Sequence, residues 1–138
     1  MEKHNLMKRT FITLTAIIIF CSCDPIADME ANIKNLTNQD LIIEFVSFDQ
    51  DLSKTLVIPK NETRLFESVY EIGNTFLEPR LIEYDSVVVK NNEKQILKVY
   101  KPNDIEKNIY NIEEYWLLRE PSKRFFKYEY EINNEDLE

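Results

Sequence analysis

From residue 33 onward the chain alternates apolar and polar side chains at the two-residue period of strands, interrupted by short polar clusters. Leu41 to Phe48 is rich in β-branched and aromatic residues and ends at Asp49-Gln50-Asp51. Lys54 to Ile58 is stopped by Pro59-Lys60-Asn61, and Thr63 to Tyr70 forms the next run. Between Leu81 and Val89 the pattern puts Ile82, Tyr84, Ser86 and Val88 on one face of a strand and Leu81, Glu83, Asp85, Val87 and Val89 on the other. Asn91-Asn92-Glu93 then supplies a hairpin turn into Gln95 to Tyr100, with the Asn pair expected to take the positive φ that glycine usually provides.

The C-terminal hairpin has the clearest pattern. Tyr115 to Arg119 runs into a turn at Glu120-Pro121-Ser122-Lys123 and returns through Arg124 to Ile132. In the return strand Phe126, Tyr128, Tyr130 and Ile132 alternate with Lys127, Glu129 and Glu131, which predicts a sheet buried on one face only. Pro102 to Asn111 alone reads as helical or irregular, with Asn103 or Asp104 able to cap a turn. About seven short strands and no long amphipathic helix predict an all-β fold, an antiparallel β-sandwich with immunoglobulin-like proportions, over residues 33–138. The Cys…Trp…Cys spacing of antibody domains is missing, so that likeness is one of architecture. Residues 23–32 contain Pro25 and three acids, Asp24, Asp28 and Glu30, and read as a short acidic tether.

The first 23 residues have a different character. Lys3, Lys8 and Arg9 outweigh Glu2, an apolar run follows from Phe11 to Phe20, and Phe20-Cys21-Ser22-Cys23 closes it. A membrane-spanning helix needs about 20 apolar residues, so the run is too short to cross and has the proportions of a secretion signal. The tetrapeptide resembles the lipobox of bacterial lipoproteins, with Phe20 where leucine is usual, a relaxation similar to that of Bacteroidetes lipoproteins. The resemblance implies cleavage between Ser22 and Cys23, acylation of Cys23, and Cys21 as the poorer acceptor because bulky Phe20 precedes it. Residues 1–22 are then the lipoprotein signal peptide, residues 23–32 the lipidated tether, and the membrane partner is reached through two or three acyl chains. Acidic residues soon after such a cysteine resemble a surface-export signal in Bacteroidetes, whereas Asp24 directly after it resembles an inner-membrane retention signal in enterobacteria. The expectation is a lipid-anchored envelope location, most readily the outer membrane, with surface display slightly ahead of the periplasmic face.

Removing 22 of the 138 residues leaves 116, enough for one domain with its own core. The 17 basic and 25 acidic side chains fall to 14 and 24, a formal charge of −10. Such a chain repels phosphate backbones and has no basic stripe, so nucleic acid is not an expected partner. With Cys23 acylated no free thiol remains, and disulfides contribute nothing to the fold.

The only histidine, His4, lies in the segment to be removed, which argues against a Ser-His-Asp triad, histidine base catalysis or a usual zinc site. Gly73 is the sole glycine, so no phosphate-cradling loop is expected. Carboxylate pairs are available at Glu113-Glu114 and at Glu83 with Asp85, but solvated acids are the simpler reading and no catalytic residue is assigned. Asp49, Gln50 and Asp51 offer hard oxygen ligands without the glycine and twelfth-position Glu of a calcium loop, so neither a metal nor a cofactor is expected. Tyr70, Tyr84, Tyr100, Tyr110, Tyr115 and Trp116 could present a platform for sugar rings, or form the core. Asn35-Leu36-Thr37 and Asn61-Glu62-Thr63 match the eukaryotic N-glycan pattern. Asp85-Ser86-Val87 resembles an O-glycosylation motif of Bacteroidetes secreted proteins, with Ser86 as the acceptor, provided its face is not buried.

The stretch from Asn108 through the aromatic hairpin and the acidic tail, together with the signal, resembles small uncharacterised Bacteroidetes lipoproteins, a likeness that implies location and fold class without an activity. Two functional expectations follow. One is a non-enzymatic, lipid-anchored interaction module for a protein or glycan partner. The other is a periplasmic inhibitor or immunity lipoprotein acting on a basic protein, steered by charge. A carboxylate-based hydrolase is a distant third.

Overall fold

Alternation at period two becomes eight strands in the computed structural model, which describes residues 24–137. They are β1 (Ile26–Asn35), β2 (Leu41–Val46), β3 (Lys54–Ile58), β4 (Thr63–Ile72), β5 (Ser86–Lys90), β6 (Ile96–Tyr100), β7 (Trp116–Ser122) and β8 (Phe125–Ile132), with one helical turn, α1 (Ile112–Tyr115), leading into β7. Two four-stranded sheets, ordered β4-β1-β8-β7 and β3-β2-β5-β6, form an all-β sandwich. Neighbouring strands are antiparallel except β1 and β8, which run parallel in register from Asp28↔Phe125 to Asn35↔Ile132.

The eighth strand is β1, and it occupies most of the stretch expected to be a tether. Ala27, Met29, Ala31 and Ile33 are fully buried while Asp28, Glu30, Asn32 and Lys34 face outward. Alanine and methionine have little strand propensity, so their alternation is faint; flanked by β4 and β8, it suffices. In β8, Phe126, Tyr128, Tyr130 and Ile132 are buried, as their alternation predicts.

The two sheets differ in length. β1 and β4 have 10 residues each, against 5 or 6 for the strands of the second sheet, so the first sheet is longer by roughly 13 Å at about 3.3 Å per residue. Residues 73–85 supply the missing cover. The Phe76 ring meets Phe126 edge-on at 4.7 Å, the Tyr128 hydroxyl donates to the Leu77 carbonyl at 3.1 Å, and Leu77 and Leu81 are buried. Tyr84 completes an aromatic group with Phe45 (5.3 Å) and Phe66 (6.1 Å), which continues through Trp116 to Tyr130 and Tyr100. Leu81–Glu83 is a 3₁₀ turn and not the start of a strand. It sends Leu81 inward and Ile82 outward, and Ile82, Tyr84 and Ser86 share no common face.

Two turns also differ from expectation. After β5 the positive φ belongs to Lys94 (63°), whereas Asn91 acts through its side chain, whose Oδ1 accepts from the Glu93 and Gln95 amides. The final hairpin turns at Lys123-Arg124, so Glu120 and Pro121 stay within β7, an edge strand where proline costs no ladder bond.

At the opposite end Asn35 ties the sheets together. Buried at the end of β1, it donates from Nδ2 to the carbonyls of Gln39 (2.8 Å) and Ile58 (2.9 Å), while its Oδ1 accepts from the amide and hydroxyl of Thr37. The Asn35-Leu36-Thr37 triplet is therefore a buried polar staple whose amide has no room for a glycan.

Replacing Asn35 with alanine orphans the carbonyls and the threonine it serves, and should lower stability by about 2–3 kcal/mol in urea unfolding. A second expectation concerns alkaline pH. Burial pushes the hydroxyls of Tyr100, Tyr110 and Tyr128 up to about 12 and raises Tyr130 further. An acid raised in the folded state keeps its proton there while the unfolded chain ionises, so stability is intact below pH 10 and falls above it. The slope is about 1.4 kcal/mol per pH unit for each such tyrosine. Tyrosinate absorbance of the buried rings should therefore appear together with loss of the near-ultraviolet circular dichroism, after that of exposed Tyr70, and complete titration of all seven tyrosines in a folded protein would contradict the burial.

Candidate functional site

Antiparallel pairing brings three connections to one end of the second sheet. Phe45 pairs with Lys54, Val46 with Ser86, and Val87 with Tyr100, so residues 47–53, 73–85 and 101–111 all leave from that end.

Each connection is held by its own polar contacts. In the first, Asp49 caps the 3₁₀ turn Gln50–Leu52 by accepting from the Asp51 amide, and the Ser53 hydroxyl accepts from the Ser47 amide at 3.0 Å. In the second, the carboxylate of Glu67 on β4 accepts from Nε of Arg80 (2.7 Å) and from its backbone amide (2.8 Å), and this pairing raises the guanidinium pKa further. The Asp85 amide donates to the Val46 carbonyl at 2.7 Å, joining the second connection to the end of β2. In the third, buried Asn108 donates to the carbonyls of Lys101 and Asp104, Trp116 Nε1 donates to the Ile109 carbonyl at 2.7 Å, and the Tyr110 hydroxyl donates to the Tyr84 carbonyl.

These supports hold three large apolar side chains out in water: Phe48 (96% exposed), Ile82 (94%) and Ile105 (99%). Acids flank all three, namely Asp49 and Asp51, Glu83 and Asp85, and Asp104 and Glu106. Among nearby cations, Arg80 is engaged by Glu67 and lies 3.8 Å from Glu83, Lys98 pairs with Glu106 at 2.9 Å, and Lys107 is engaged by Asp136. A groove of about 540 Å³ runs between residues 78–82 and Pro102, Tyr110 and Ile112. Exposed apolar side chains with acids beside them in the chain suit a complementary surface that is both apolar and basic.

Beneath these connections Lys54 is enclosed by aromatic rings. Its Nζ lies 3.7 Å from the Phe66 centroid, 5.6 Å from Phe45 and 5.8 Å from Tyr84, and donates to the Phe66 carbonyl at 2.6 Å. Burial lowers its pKa, opposed by Glu67 and Glu83. A cage of this kind could take an external cation, but the protein's own ammonium fills it.

The residues singled out from the sequence distribute as follows. Ser22 and Cys23 lie outside the described residues. Ser86 opens β5 half-buried on the outward side of the second sheet, beside exposed Asp85. Glu83 is half-buried and approaches Arg80 at 3.8 Å, while Asp85 is exposed. Glu113 and Glu114 lie in α1 rather than on a strand, both exposed, with Glu114 accepting from Asn111. Asp49 is a helix cap, and among the described residues no cluster of three metal-ligating side chains occurs. The aromatic platform does not form: Tyr84, Tyr100 and Trp116 are core, Tyr110 and Tyr115 are half-buried, and only Tyr70 is largely exposed. Phe48, Ile82 and Ile105 escape sequence reasoning because apolar residues in strand-like or irregular runs are assigned to the interior by default; the acids beside each are the one available signal. Comparison with protein-family models, curated proteins and solved structures finds no significant match for this chain.

Lys54→Met keeps the aliphatic stem and removes the charge, and should cost about 1 kcal/mol in urea unfolding. Lys54→Ala, which also loses the packed stem, should cost about 2 kcal/mol. Wild-type stability in the methionine variant would show that the cage contributes nothing net.

Proposed function

We propose that this protein is a lipid-anchored cell-envelope protein, held through Cys23, whose sandwich is a non-enzymatic interaction module for a protein partner. The observation that carries the interaction reading is the exposure of Phe48, Ile82 and Ile105 on three braced connections at one end of a sheet. Large apolar side chains held in water have a hydration cost that a partner surface removes, and rigid supports keep the ordering cost of binding low. A protein partner is favoured over a glycan because the aromatic rings that would stack on sugars are largely spent on the core.

The acids beside each apolar tip favour a basic partner, and so bring the inhibitor or immunity reading within the same site. Charge steers the encounter and the apolar contacts hold the complex. The anchor reading is supported by the basic, apolar and Phe20-Cys21-Ser22-Cys23 segments in their order, and it places the domain at the envelope, most readily on the outer membrane.

The test is capture of partners from detergent-solubilised envelope by the native protein and by the double variant Phe48→Ser/Ile82→Ser. A partner retained by the native chain and lost from the variant is the expected result. Loss of the native complex at about 0.5 M salt, where the Debye length falls to ~4 Å, identifies the basic-partner form. A partner bound equally by native and variant chains places recognition elsewhere and defeats the proposed site. Independently, Cys23→Ser should move the protein from the membrane fraction to the soluble fraction.

A further inference from the structure

The outward face of the first sheet is graded along its length. Its first cross-strand row pairs Ile26 with Ile72, and the next joins Tyr70, Asp28 and Phe125. Further along, Glu30 meets Lys127 at 3.7 Å, and beyond that Lys34 meets Glu129 (3.8 Å) and Glu131 (2.8 Å). One end of the face is thus apolar and aromatic, while the rows beyond it carry these ion pairs, with Leu65 and Leu117 exposed singly at the two edges of the Asn32 row. Ile26 (54%), Ile72 (70%) and Tyr70 (72%) are well exposed, more than their place beside a packed sheet requires. Phe76, half in water, stands at the start of the next connection.

The chain preceding the described residues enters at this end. Pro25 is fixed there, because its carbonyl accepts from the Gly73 amide at 2.6 Å, just beyond the end of β4. Only Asp24 and Pro25 separate Cys23 from Ile26, and three residues span at most ~11 Å even when extended. The expected ten-residue tether is thereby reduced to two.

We propose that the row of Ile26, Tyr70 and Ile72 is a bilayer-contact edge, seated in the interfacial zone of the membrane that receives the acyl chains of Cys23. The proposal rests on the lipid-anchor reading above. With so short a lead, acyl chains in the hydrocarbon hold the apolar end of the sheet at headgroup level. Isoleucine side chains gain there by leaving water, and a tyrosine ring suits the boundary between apolar and wet surroundings. Asp24, Asp28 and Glu71 outnumber Lys123 and Arg124 around this edge, so apolar burial drives the contact and anionic headgroups are not required. The ion-paired rows and the Asn35 end of the sandwich lie away from the membrane, while Phe48, Ile82 and Ile105 stand at the membrane-proximal end but on the connections of the second sheet, beside the contact edge and not within it.

The test uses the full chain, processed in a bacterial host, purified in detergent and reconstituted into phosphatidylcholine vesicles. Acylation consumes the thiol of Cys23, so a cysteine introduced by Ile72→Cys or, at the other end of β4 about 30 Å away, by Thr63→Cys is the only reactive thiol for an environment-sensitive fluorophore. Brominated lipid should quench the probe at position 72 several-fold more than the probe at 63, with blue-shifted emission at 72 alone. A mature mass showing acylated Cys23 combined with no quenching at 72, or with equal quenching at both positions, overturns the contact edge and leaves the anchor intact. A mass without acyl chains overturns the anchor reading and the contact edge together. Position 72 unquenched in vesicles but shielded from labelling in intact envelopes assigns the edge to a protein partner and also overturns the proposal.

Discussion

The sandwich depends on the parallel pairing of its first and last strands. β1 lies between β4 and β8 at the centre of the longer sheet, and its buried residues, Ala27, Met29, Ala31 and Ile33, are small or flexible enough to let the bulkier Phe126, Tyr128 and Tyr130 of β8 fill the space between the sheets. Parallel neighbours cannot be joined by a tight turn, and here nearly the whole domain intervenes between them. The first sheet is therefore incomplete until the C-terminal hairpin has been made. Closing so long a loop costs chain entropy that local contacts cannot offset, which makes this pairing a late and cooperative event in folding.

The mismatch in sheet length sets the shape of the end that carries Phe48, Ile82 and Ile105. Since β2, β5 and β6 are too short to cover β1 and β8, the connection at residues 73–85 must carry core residues of its own, and it does so with Leu77, Leu81 and Tyr84. A single 3₁₀ turn that points Leu81 inward necessarily presents Ile82 to water. The same connection is fastened by Glu67 to Arg80, and the aromatic group it completes surrounds Lys54. Filling the core and displaying an apolar tip are thus two results of one backbone path.

The parts of this architecture that are legible in the sequence are those with strong alternation of large side chains. β8 carries it, β2 is marked instead by its run of β-branched and aromatic residues, and the all-β reading rests on such strands. β1 is hidden because Ala27 and Ala31 scarcely register as hydrophobic, and because a proline and three acids give the same stretch the composition of a linker. Between Leu81 and Val89 the alternation is real but misleading: two residues in a 3₁₀ turn shift the phase, so Val87 and Val89 keep their assigned face while Ile82 and Tyr84 part company. The apolar tips are illegible for a related reason. Nothing in a linear pattern separates a buried isoleucine from an exposed one when the backbone is irregular. The cage around Lys54 joins residues up to 39 positions apart, which no local pattern reveals.

The short lead into β1 also has a mechanical consequence. Under the proposed anchor at Cys23, a pull would act along the axis of the central strand, while the body of the domain resists through β4 on one side and β8 on the other. Force in that direction loads the flanking ladders in shear, with many hydrogen bonds sharing the stress at once, instead of peeling them open one after another. Because β8 runs parallel to β1, the start of β1 and the end of β8 lie at opposite ends of the same sheet, the arrangement in which tension between them is borne longest before a strand slips. A domain tethered in this way would resist drag at the cell envelope through its central strand and not through its edges.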